Sequence, residues 1–221
     1  ARRRLVSAAK DVSFRLHAGE TVGIVGESGS GKSTVARCIA RLIEPDAGDV
    51  WVPQLDTLRG RRERLSAFRR KVQVVFQDPN RTLNPRRTVG QSIVEGPVNF
   101  GVPEDQAWAR AEALMALVRM QPEALQRYPS EFSGGQRQRL CIARALACEP
   151  GILIADEAVS ALDVSVQAQI LKLLAEIQQR LSIGTLFITH DLRVASQICG
   201  RIIVMFKGRI MGVFDARDAD L

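Results

Sequence analysis

A glycine-rich stretch of nine residues constrains this chain more than any other feature of its sequence. The stretch consists of Gly26, Glu27, Ser28, Gly29, Ser30, Gly31, Lys32, Ser33 and Thr34. It matches the full pattern G-x-x-x-x-G-K-[ST] of a phosphate-binding loop. Glycines let the backbone take positive φ and approach an anion, and successive N–H groups at a helix N-terminus then cradle it. The stretch therefore predicts a site for the phosphates of a nucleotide.

The flanking residues predict the structural context that such a loop needs. Residues 20–25 read as a buried strand and residues 33–43 as a helix, whereas a flexible Gly/Ser loop that matched by chance would have neither. In this context Lys32 is expected to reach the β- and γ-phosphates, and the Ser33 hydroxyl to ligate Mg²⁺. We therefore expect ATP and Mg²⁺ to bind here.

The length and composition are typical of a globular protein. The 221 residues allow one large domain, or one domain with a smaller lobe, and 46% of them are hydrophobic and 25% charged. No apolar run reaches the roughly 18 to 20 residues that cross a bilayer, and residues 1–4 lead into a strand rather than into the apolar core of a secretory signal. Any membrane association is therefore expected to be peripheral.

The net charge of +7 raises the alternative of nucleic-acid binding. Much of this charge comes from residues 2–4 and 59–71, and aromatic residues that stack on bases make up only 5% of the chain. Basic faces without stacking platforms are usually solvated surface, so no direct contact with nucleic acid is expected. The cysteines lack C-x-x-C spacing, which favours small thiols in a reducing compartment over a metal site. They are Cys38, Cys141, Cys148 and Cys199.

Hydrophobic patterning predicts strands that alternate with helices. Strands are predicted at 11–16, 50–52, 71–76, 152–155 and 186–189, and a hairpin at 201–205 and 209–213. Helices are predicted at 104–120, 134–148 and 166–181. Residues 58–70 are basic and weakly amphipathic, with Leu65 and Phe68 expected to face the core. We interpret residues 79–149 as a helical lobe inserted into an α/β core formed by residues 1–78 and 150–221.

Polar residues follow the predicted strands at their carboxyl ends. A mostly parallel sheet binds ligands at this edge, where Gln77, Asp156, Glu157 and His190 join the glycine-rich loop. Asp156 fits the carboxylate that holds Mg²⁺ directly or through water, and Glu157 fits the group that orients or deprotonates the attacking water. Two acids after a strand can instead cap a helix, and a lone histidine at a strand end can be structural.

A resemblance narrows these alternatives. Residues 132–136, Phe-Ser-Gly-Gly-Gln, resemble the signature sequence of ABC-type ATPases, and the resemblance extends over residues 12–213. It implies a P-loop NTPase fold of the ABC ATPase type, with a mostly parallel sheet core, an antiparallel β part and an inserted α-helical lobe. Within it, Gln77 resembles the Q-loop glutamine, residues 160–163 the D-loop, and His190 the switch histidine that contacts the γ-phosphate or holds Glu157 and the water.

The resemblance also implies a dimer. In this family two nucleotide-binding domains pair head to tail around two ATP molecules, and the phosphate loop of one domain faces the signature of the other. Ser133, Gly134, Gly135 and Gln136 open a helix, so their N–H groups and the helix dipole can meet a γ-phosphate. Together with Asp163 of the D-loop, they are expected to contact the nucleotide held by the partner.

A finer resemblance lies after Gln77. Residues 76–90, together with 128–139 and 160–169, are similar to the ATPase subunits of dipeptide, oligopeptide, nickel and glutathione importers. This implies ATP-driven import of a peptide-type solute from the cytoplasmic side of the inner membrane. The implied partners are a second ABC ATPase domain, two transmembrane permease subunits and an extracytoplasmic solute-binding protein.

Three departures from the family pattern stand out. The usual Asp-Glu-Pro reads Asp156-Glu157-Ala158, which keeps both acids, so hydrolysis is still expected. Arg3 stands at about the spacing where the family has an aromatic residue that stacks on adenine. The chain stops shortly after the hairpin and lacks an initiator Met, whereas peptide-importer ATPases continue into a C-terminal extension. We expect a fragment of a longer chain, which includes the case of one half of a tandem double ATPase.

Two other functions remain open at this point. One is a soluble ABC ATPase in a non-transport complex that acts on nucleic acid or assembles with an enzyme. The other is a regulatory domain that binds ATP without hydrolysing it. The chain has no long coiled-coil insertion or zinc hook of the kind found in DNA-repair members, and the presence of Glu157 and His190 favours hydrolysis.

Overall fold

One six-stranded sheet organises the part of the chain that the structure describes. The structure is a computed structural model that describes residues 7–53 and 62–216. The strands are β1 Thr21–Val25, β2 Val72–Val75, β3 Ile152–Asp156, β4 Gly184–Thr189, β5 Arg201–Phe206 and β6 Arg209–Asp215. Their order is β2-β3-β4-β1-β5-β6, so strands far apart in the sequence become neighbours.

The pairing is parallel from β2 to β5 and antiparallel between β5 and β6. Both β1 and β4 are buried along their whole length, as expected of parallel strands covered on both faces. The β5–β6 hairpin turns at Lys207 and Gly208, both with positive φ, the backbone geometry that matches the twist of a tight hairpin. The predicted fold class, a mostly parallel core with an antiparallel part, is confirmed.

Helices cover the sheet and fill the chain between β2 and β3. They are α1 Lys32–Ile39, α2 Arg62–Lys71, α3 Pro79–Thr82, α4 Val89–Asn99, α5 Glu104–Leu117, α6 Gly134–Leu146, α7 Val164–Leu181 and α8 Leu192–Ile198. Short 3-10 turns lie at Pro122–Gln126 and Pro129–Glu131. The predicted α1, α5, α6 and α7 are present, whereas α4 and α8 were not predicted.

Two predicted helices end three or four residues earlier than their apolar patterns indicate. The first ends at Ile39 rather than at residue 43, because Arg41 takes a left-handed φ of 53°. The helix predicted to reach residue 120 ends at Leu117, and Arg119 has a φ of 58°. A left-handed residue closes a helix by turning its last carbonyls away from the axis. The left-handed residues, and not a loss of apolar residues, therefore determine where these two helices end.

Two predicted strands are wrong. Residues 11–16 do alternate in exposure, and Val12, Phe14 and Leu16 pack against the core, but the segment joins no strand ladder. Residues 50–52 form only an isolated bridge at Val52. Alternation reports which face of an extended segment is buried, and pairing additionally needs a neighbouring strand edge.

Apolar clusters lie on both faces of the sheet. The smaller cluster includes Val22 and Ile24 of β1 and Phe68 of α2, which is fully buried. Leu65 is half-buried on the same helix, so the predicted packing of this basic segment is confirmed where it is described, and residues 58–61 lie outside the described residues. The larger cluster joins β3, α7 and the helices α4, α5 and α6. The helices between β2 and β3 therefore share one core with the sheet.

Three of the four cysteines are buried. All four are free, with Cys141, Cys148 and Cys199 buried and Cys38 partly exposed. Burial raises the pKa of Cys141 and of Cys199 to about 12, and that of Cys148 to about 11. These buried thiols are protonated at neutral pH and unreactive as thiolates. None of the described helices is both long and apolar enough to cross a bilayer.

Candidate nucleotide-binding site

The residues predicted to bind phosphate and Mg²⁺ and to activate water lie at the carboxyl ends of four neighbouring strands. The loop of residues 26–31 follows β1, Gln77 lies two residues beyond β2, Asp156 ends β3 and His190 comes directly after β4. These strands are adjacent in the order β2-β3-β4-β1. The parallel sheet thus gathers onto one edge residues that stand more than a hundred positions apart in the sequence.

Lys32 anchors the glycine-rich loop. Its side chain is 4% exposed, and Nζ donates to the carbonyl oxygens of Gly26 at 2.6 Å and Glu27 at 2.8 Å, and to Ser30 Oγ at 3.4 Å. Burial lowers the pKa of Lys32, while the charges of Glu157 and Asp156 act in the opposite direction. The ammonium group is therefore placed at the centre of the loop and close to both acids.

The shape of the loop depends on its three glycines. Gly29 and Gly31 have φ values of 81° and 98°, which are left-handed. A side chain on Gly26 would place its Cβ 2.2 Å from the carbonyl oxygen of Met205 in β5. Glu27, Ser28 and Gly29 are exposed at the tip of the loop, and Thr34 is half-buried on α1.

The turn of the β5–β6 hairpin is hydrogen-bonded to this loop, a contact that the sequence did not indicate. The N–H of Gly208 donates to the carbonyl of Ser30 at 3.0 Å, and the Gly208 carbonyl accepts from the N–H of Lys10 at 2.8 Å. A Cβ on Gly31 would lie 2.1 Å from the Ala8 carbonyl oxygen. The N-terminal segment, the hairpin and the loop are consequently packed backbone against backbone, where no larger residue fits at position 31.

Ser33 and Asp156 are joined by a hydrogen bond between their side chains. Ser33 Oγ donates to Asp156 Oδ1 at 3.0 Å. Burial raises the pKa of Asp156, whose side chain accepts this bond, and the hydrogen bond from Ser33 partly opposes the rise. In the described part of the chain, no three His, Cys, Asp or Glu side chains cluster as a metal site. One carboxylate and one hydroxyl fit Mg²⁺, which binds through few protein oxygens together with substrate phosphates and waters.

Glu157 stands in an unusual backbone conformation. Its φ is 50°, its N–H donates to the carbonyl of Ile188 in β4 at 2.9 Å, and its carbonyl accepts from the N–H of Ser160 at 3.1 Å. Its Oε2 lies 3.7 Å from Nδ1 of His190. Left-handed φ at a residue with a side chain is costly and is concentrated at functional sites. Ala158, where the family has proline, is buried.

The signature segment opens α6 as predicted. Ser133 caps this helix, because its Oγ accepts from the N–H of Gln136 at 3.3 Å while Gln136 Oε1 accepts from the Ser133 N–H at 2.9 Å. Gly134 and Gly135 are the first helical residues, and a Cβ on Gly135 would lie 2.4 Å from Cγ1 of Val166 in α7. The capping box defines the start of the helix, and the glycine lets α6 approach α7 closely.

The structure brings the signature close to Gln77. A cleft of about 580 Å³ is lined by residues that include Gln77, Gly134, Arg137 and Leu162. Of these four, Gln77 is exposed and the others are half-buried. Lys32 and Ser33 are not part of its lining.

Asp163 acts locally as a helix cap. Its Oδ1 accepts from the N–H of Val166 at 3.0 Å and from Ser165 Oγ at 2.8 Å, and these bonds, the backbone one first, lower the pKa of Asp163. This geometry alone accounts for an aspartate at the start of α7, so a contact between Asp163 and nucleotide stays a prediction. The prediction for Arg3 and adenine falls outside the described residues.

Comparison with known proteins finds relatives that align with nearly the whole chain. The ABC transporter family model matches residues 9–160. The chain is 54% identical over 216 residues to the probable peptide ABC transporter ATP-binding protein y4tS of Sinorhizobium fredii, covering 97% of this chain and 61% of that protein. It is 47% identical over 209 residues to a putative peptide import ATP-binding protein of Brucella ovis, covering 94% and 66%.

A third relative is the glutathione import ATP-binding protein GsiA of Shigella boydii, 49% identical over 213 residues, or 95% of this chain and 34% of GsiA. The chain thus spans between about one third and two thirds of the length of these curated relatives.

Solved structures agree with the fold. cbiO1 from Clostridium perfringens, part of the ABC transporter complex cbiONQ, matches with a TM-score of 0.84 and 30% identity over 96% of this chain and 83% of its own. The ATP-binding cassette MJ0796, as a dimer in a post-hydrolysis state bound to ADP and Pi, matches with a TM-score of 0.85 and 30% identity over 98% and 94%.

Proposed function

Since this chain belongs to the ABC transporter family, we propose that it hydrolyses ATP to power the import of a peptide-type solute. The observation that carries this proposal is the convergence of the glycine-rich loop, Gln77, Asp156, Glu157 and His190 at four adjacent strand ends. Phosphoryl transfer to water needs a phosphate cradle, a metal site and a group that positions the water. The sheet edge supplies all three from separate strands.

The loop binds the phosphates of ATP. The N–H groups around Gly29 and Gly31 line the N-terminus of α1, where the helix dipole favours negative charge. Lys32 now donates to loop carbonyls, and it transfers these hydrogen bonds to the β- and γ-phosphate oxygens when ATP binds. A buried ammonium group that already sits beside the anion site needs little rearrangement to neutralise the phosphates.

Ser33, Asp156 and Gln77 would hold Mg²⁺. Bound there, the ion would neutralise charge on the phosphates. Ser33 and Asp156 are already 3.0 Å apart, so the chain offers both oxygens together. Gln77 is exposed at the end of β2 and completes the set when its loop moves towards the nucleotide.

Glu157 orients and deprotonates the attacking water, and His190 holds Glu157 and contacts the γ-phosphate. Oε2 and Nδ1 lie 3.7 Å apart, so a shift of less than about 1 Å brings the imidazole within hydrogen-bonding distance of the carboxylate. A general base must lie within hydrogen-bonding reach of the proton that it removes. Glu157 directly follows Asp156 in the chain, so the proposed base stands next to the proposed metal carboxylate.

A second ABC ATPase domain completes each site. Ser133, Gly134, Gly135, Gln136 and Asp163 contact the nucleotide that the partner domain holds. In this proposal the signature of one chain faces the phosphate loop of the other chain. The dimeric state of MJ0796 with ADP and Pi supports this arrangement.

Import is proposed from the relatives named as peptide and glutathione import proteins. Two permease subunits and an extracytoplasmic solute-binding protein are the further partners, with this chain on the cytoplasmic side of the inner membrane. In this proposal residues 79–149 form the lobe that contacts the permease, and residues 1–78 and 150–221 form the core. Gln77 joins the two parts at the edge of the cleft.

The proposal is tested by identifying the partners of the tagged chain. Membranes of the source organism are solubilised after ATP and vanadate trapping, and the tagged chain is purified. Co-purification of two multi-spanning proteins in constant ratio supports the transport motor. Recovery of ATPase activity with only non-membrane or nucleic-acid partners contradicts import and favours an ABC ATPase of a non-transport complex.

A further inference from the structure

Two consecutive side chains of α6 hydrogen-bond to the residues that directly precede Ser133 of the signature and Gln77. Arg137 Nη1 donates to the carbonyl of Phe132 at 2.5 Å, and Gln138 Nε2 donates to the carbonyl of Phe76 at 3.3 Å. Phe132 comes directly before Ser133, and Phe76 comes directly before Gln77. The start of α6 therefore connects two segments. One carries Gln77, which is proposed to bind Mg²⁺ in the site of the same chain, and the other is the signature, which is proposed to face the site of the partner.

Packing alone does not explain a glutamine at position 138. The residue is 1% exposed, and its Oε1 is buried without a hydrogen-bond partner among the described residues. An unpaired buried acceptor destabilises the folded state, and leucine would occupy a similar volume without that cost. Buried polar groups of this kind call for a functional reason.

The free acceptor gives the side chain two ways of holding the loop. In the present geometry the amide donates to the Phe76 carbonyl, while Oε1 stays available for a backbone N–H. When Gln77 moves towards the metal, the neighbouring backbone shifts with it. The Gln138 amide can then exchange the hydrogen bond that Nε2 donates to a carbonyl for one that Oε1 accepts from a backbone N–H. The link between the loop and α6 then persists through the motion.

The helix on the other side of the link is rigid. Leu140 and Ile142 are fully buried in the larger apolar cluster, and the capping box between Ser133 and Gln136 fixes the first turn. A force applied to Gln138 therefore displaces α6 and Ser133 together, because packed helices move as units.

We propose that Gln138 is a positioning residue that couples Gln77 to the signature Ser133, so that Mg·ATP bound in one site sets the position of the signature facing the other. The inference rests on the proposed function and adds a residue that touches neither substrate nor metal. Its effect is transmitted through the Phe76 carbonyl.

The test is a double-mutant cycle on purified protein, with Gln138→Leu, Gln77→Ala and the double variant. Gln138→Leu is expected to lower kcat for ATP about tenfold, to change KM by less than about threefold, and to leave the melting temperature unchanged or slightly higher. In the Gln77→Ala background the same change has no further effect on kcat, because its only route is through Gln77. A merely structural residue would lower the melting temperature and act additively.

Gln178→Leu is the matched control, because the Gln178 side-chain amide also donates to a backbone carbonyl, that of Gly19, far from the site. It is expected to leave kcat unchanged. If Gln138→Leu lowers the melting temperature, Gln138→Met repeats the cycle with an unbranched side chain.

Wild-type kcat in Gln138→Leu, or losses that add fully in the double variant, overturn the coupling while leaving the proposed ATPase intact. Absence of ATP turnover in the wild-type protein overturns both.

Discussion

Ser33 and Asp156 stand 123 positions apart in the sequence, yet the Ser33 hydroxyl donates to Asp156 Oδ1 at 3.0 Å. The bond joins the first turn of α1 to the end of β3 across β4, which lies between β1 and β3 in the sheet. It holds together the two oxygen atoms of the proposed Mg²⁺ site, beside the loop that is proposed to bind the phosphates.

Asp156→Asn is expected to weaken the effect of Mg²⁺ on ATP binding. The amide keeps an oxygen for Ser33 but removes the charge, and interactions with ionised oxygens are roughly twice as strong as those with neutral ones. The Mg²⁺ concentration needed for half-maximal ATP binding should rise at least about tenfold, measured by fluorescent-nucleotide titration. Asp105→Asn, on the exposed side of α5, is the control, and an unchanged Mg²⁺ requirement in Asp156→Asn would exclude Asp156 as a ligand.

The same substitution is expected to stabilise the protein at neutral pH without metal. Burial raises the pKa of Asp156 above its ordinary value of 3.8, so the folded state holds this proton more tightly than the unfolded chain. This contribution to stability is complete below pH 3.8 and is lost as pH rises through the raised pKa. In EDTA, Asp156→Asn should melt above wild type at pH 7, with a smaller difference near pH 4. A lower melting temperature at pH 7 would contradict the cost of burying this charge.

Lys32→Ala is expected to weaken the binding of ATP itself. Loss of charge-assisted hydrogen bonds to phosphate should raise the dissociation constant at least about tenfold, measured by equilibrium titration. Lys172→Ala on the exposed face of α7 is the control for loss of one positive charge. Equal ATP affinity in the wild-type and Lys32→Ala proteins would count against this loop as the phosphate site.

Gly31→Ala and Gly48→Ala separate backbone strain from backbone contact. Both glycines have positive φ, 98° and 86°, but only a Cβ at position 31 meets an atom, the Ala8 carbonyl oxygen at 2.1 Å. A left-handed alanine costs about 1–2 kcal/mol, or about 2 to 8 °C in melting temperature for a chain of this size. Gly48→Ala should show only that loss.

Gly31→Ala is expected to melt lower than Gly48→Ala and to bind ATP more weakly, because the loop must move away from the N-terminal segment. Calorimetry and nucleotide titration on both variants check this, and equal losses would mean that the contact with Ala8 does not shape the loop.

The sequence predicts the chemistry of this site better than its tertiary supports. Lys32, Asp156 and Glu157 were identifiable because a motif or a strand end marks each one, and parallel pairing then brings them to a common edge. The support of Ser30 by Gly208 was not predictable, since it depends on which strands become neighbours. The link between Gln138 and Phe76 has no sequence pattern for the same reason.

The errors in secondary structure have local causes. The helix α4 was missed because Pro97 and its glycines resemble a loop, whereas a capping box at Thr88 and burial of Ile93 favour the helix. The segment 11–16 has the alternation of a strand without the pairing. Pattern shows how a segment is buried, but backbone pairing is decided by the fold.

The most direct test of the account is ATP hydrolysis and association in Glu157→Gln, with Glu149→Gln as the matched control. Both glutamates have left-handed φ, 50° and 53°, but Glu149 pairs with Arg70 and Arg110 and not with His190. Phosphate release and sedimentation velocity are measured with Mg·ATP.

If Glu157 activates the attacking water, Glu157→Gln lowers phosphate release about a hundredfold or more, and ATP converts this variant to a stable dimer. Glu149→Gln is expected to behave as wild type. Normal phosphate release by Glu157→Gln, or a chain that stays monomeric with ATP bound, would contradict the account.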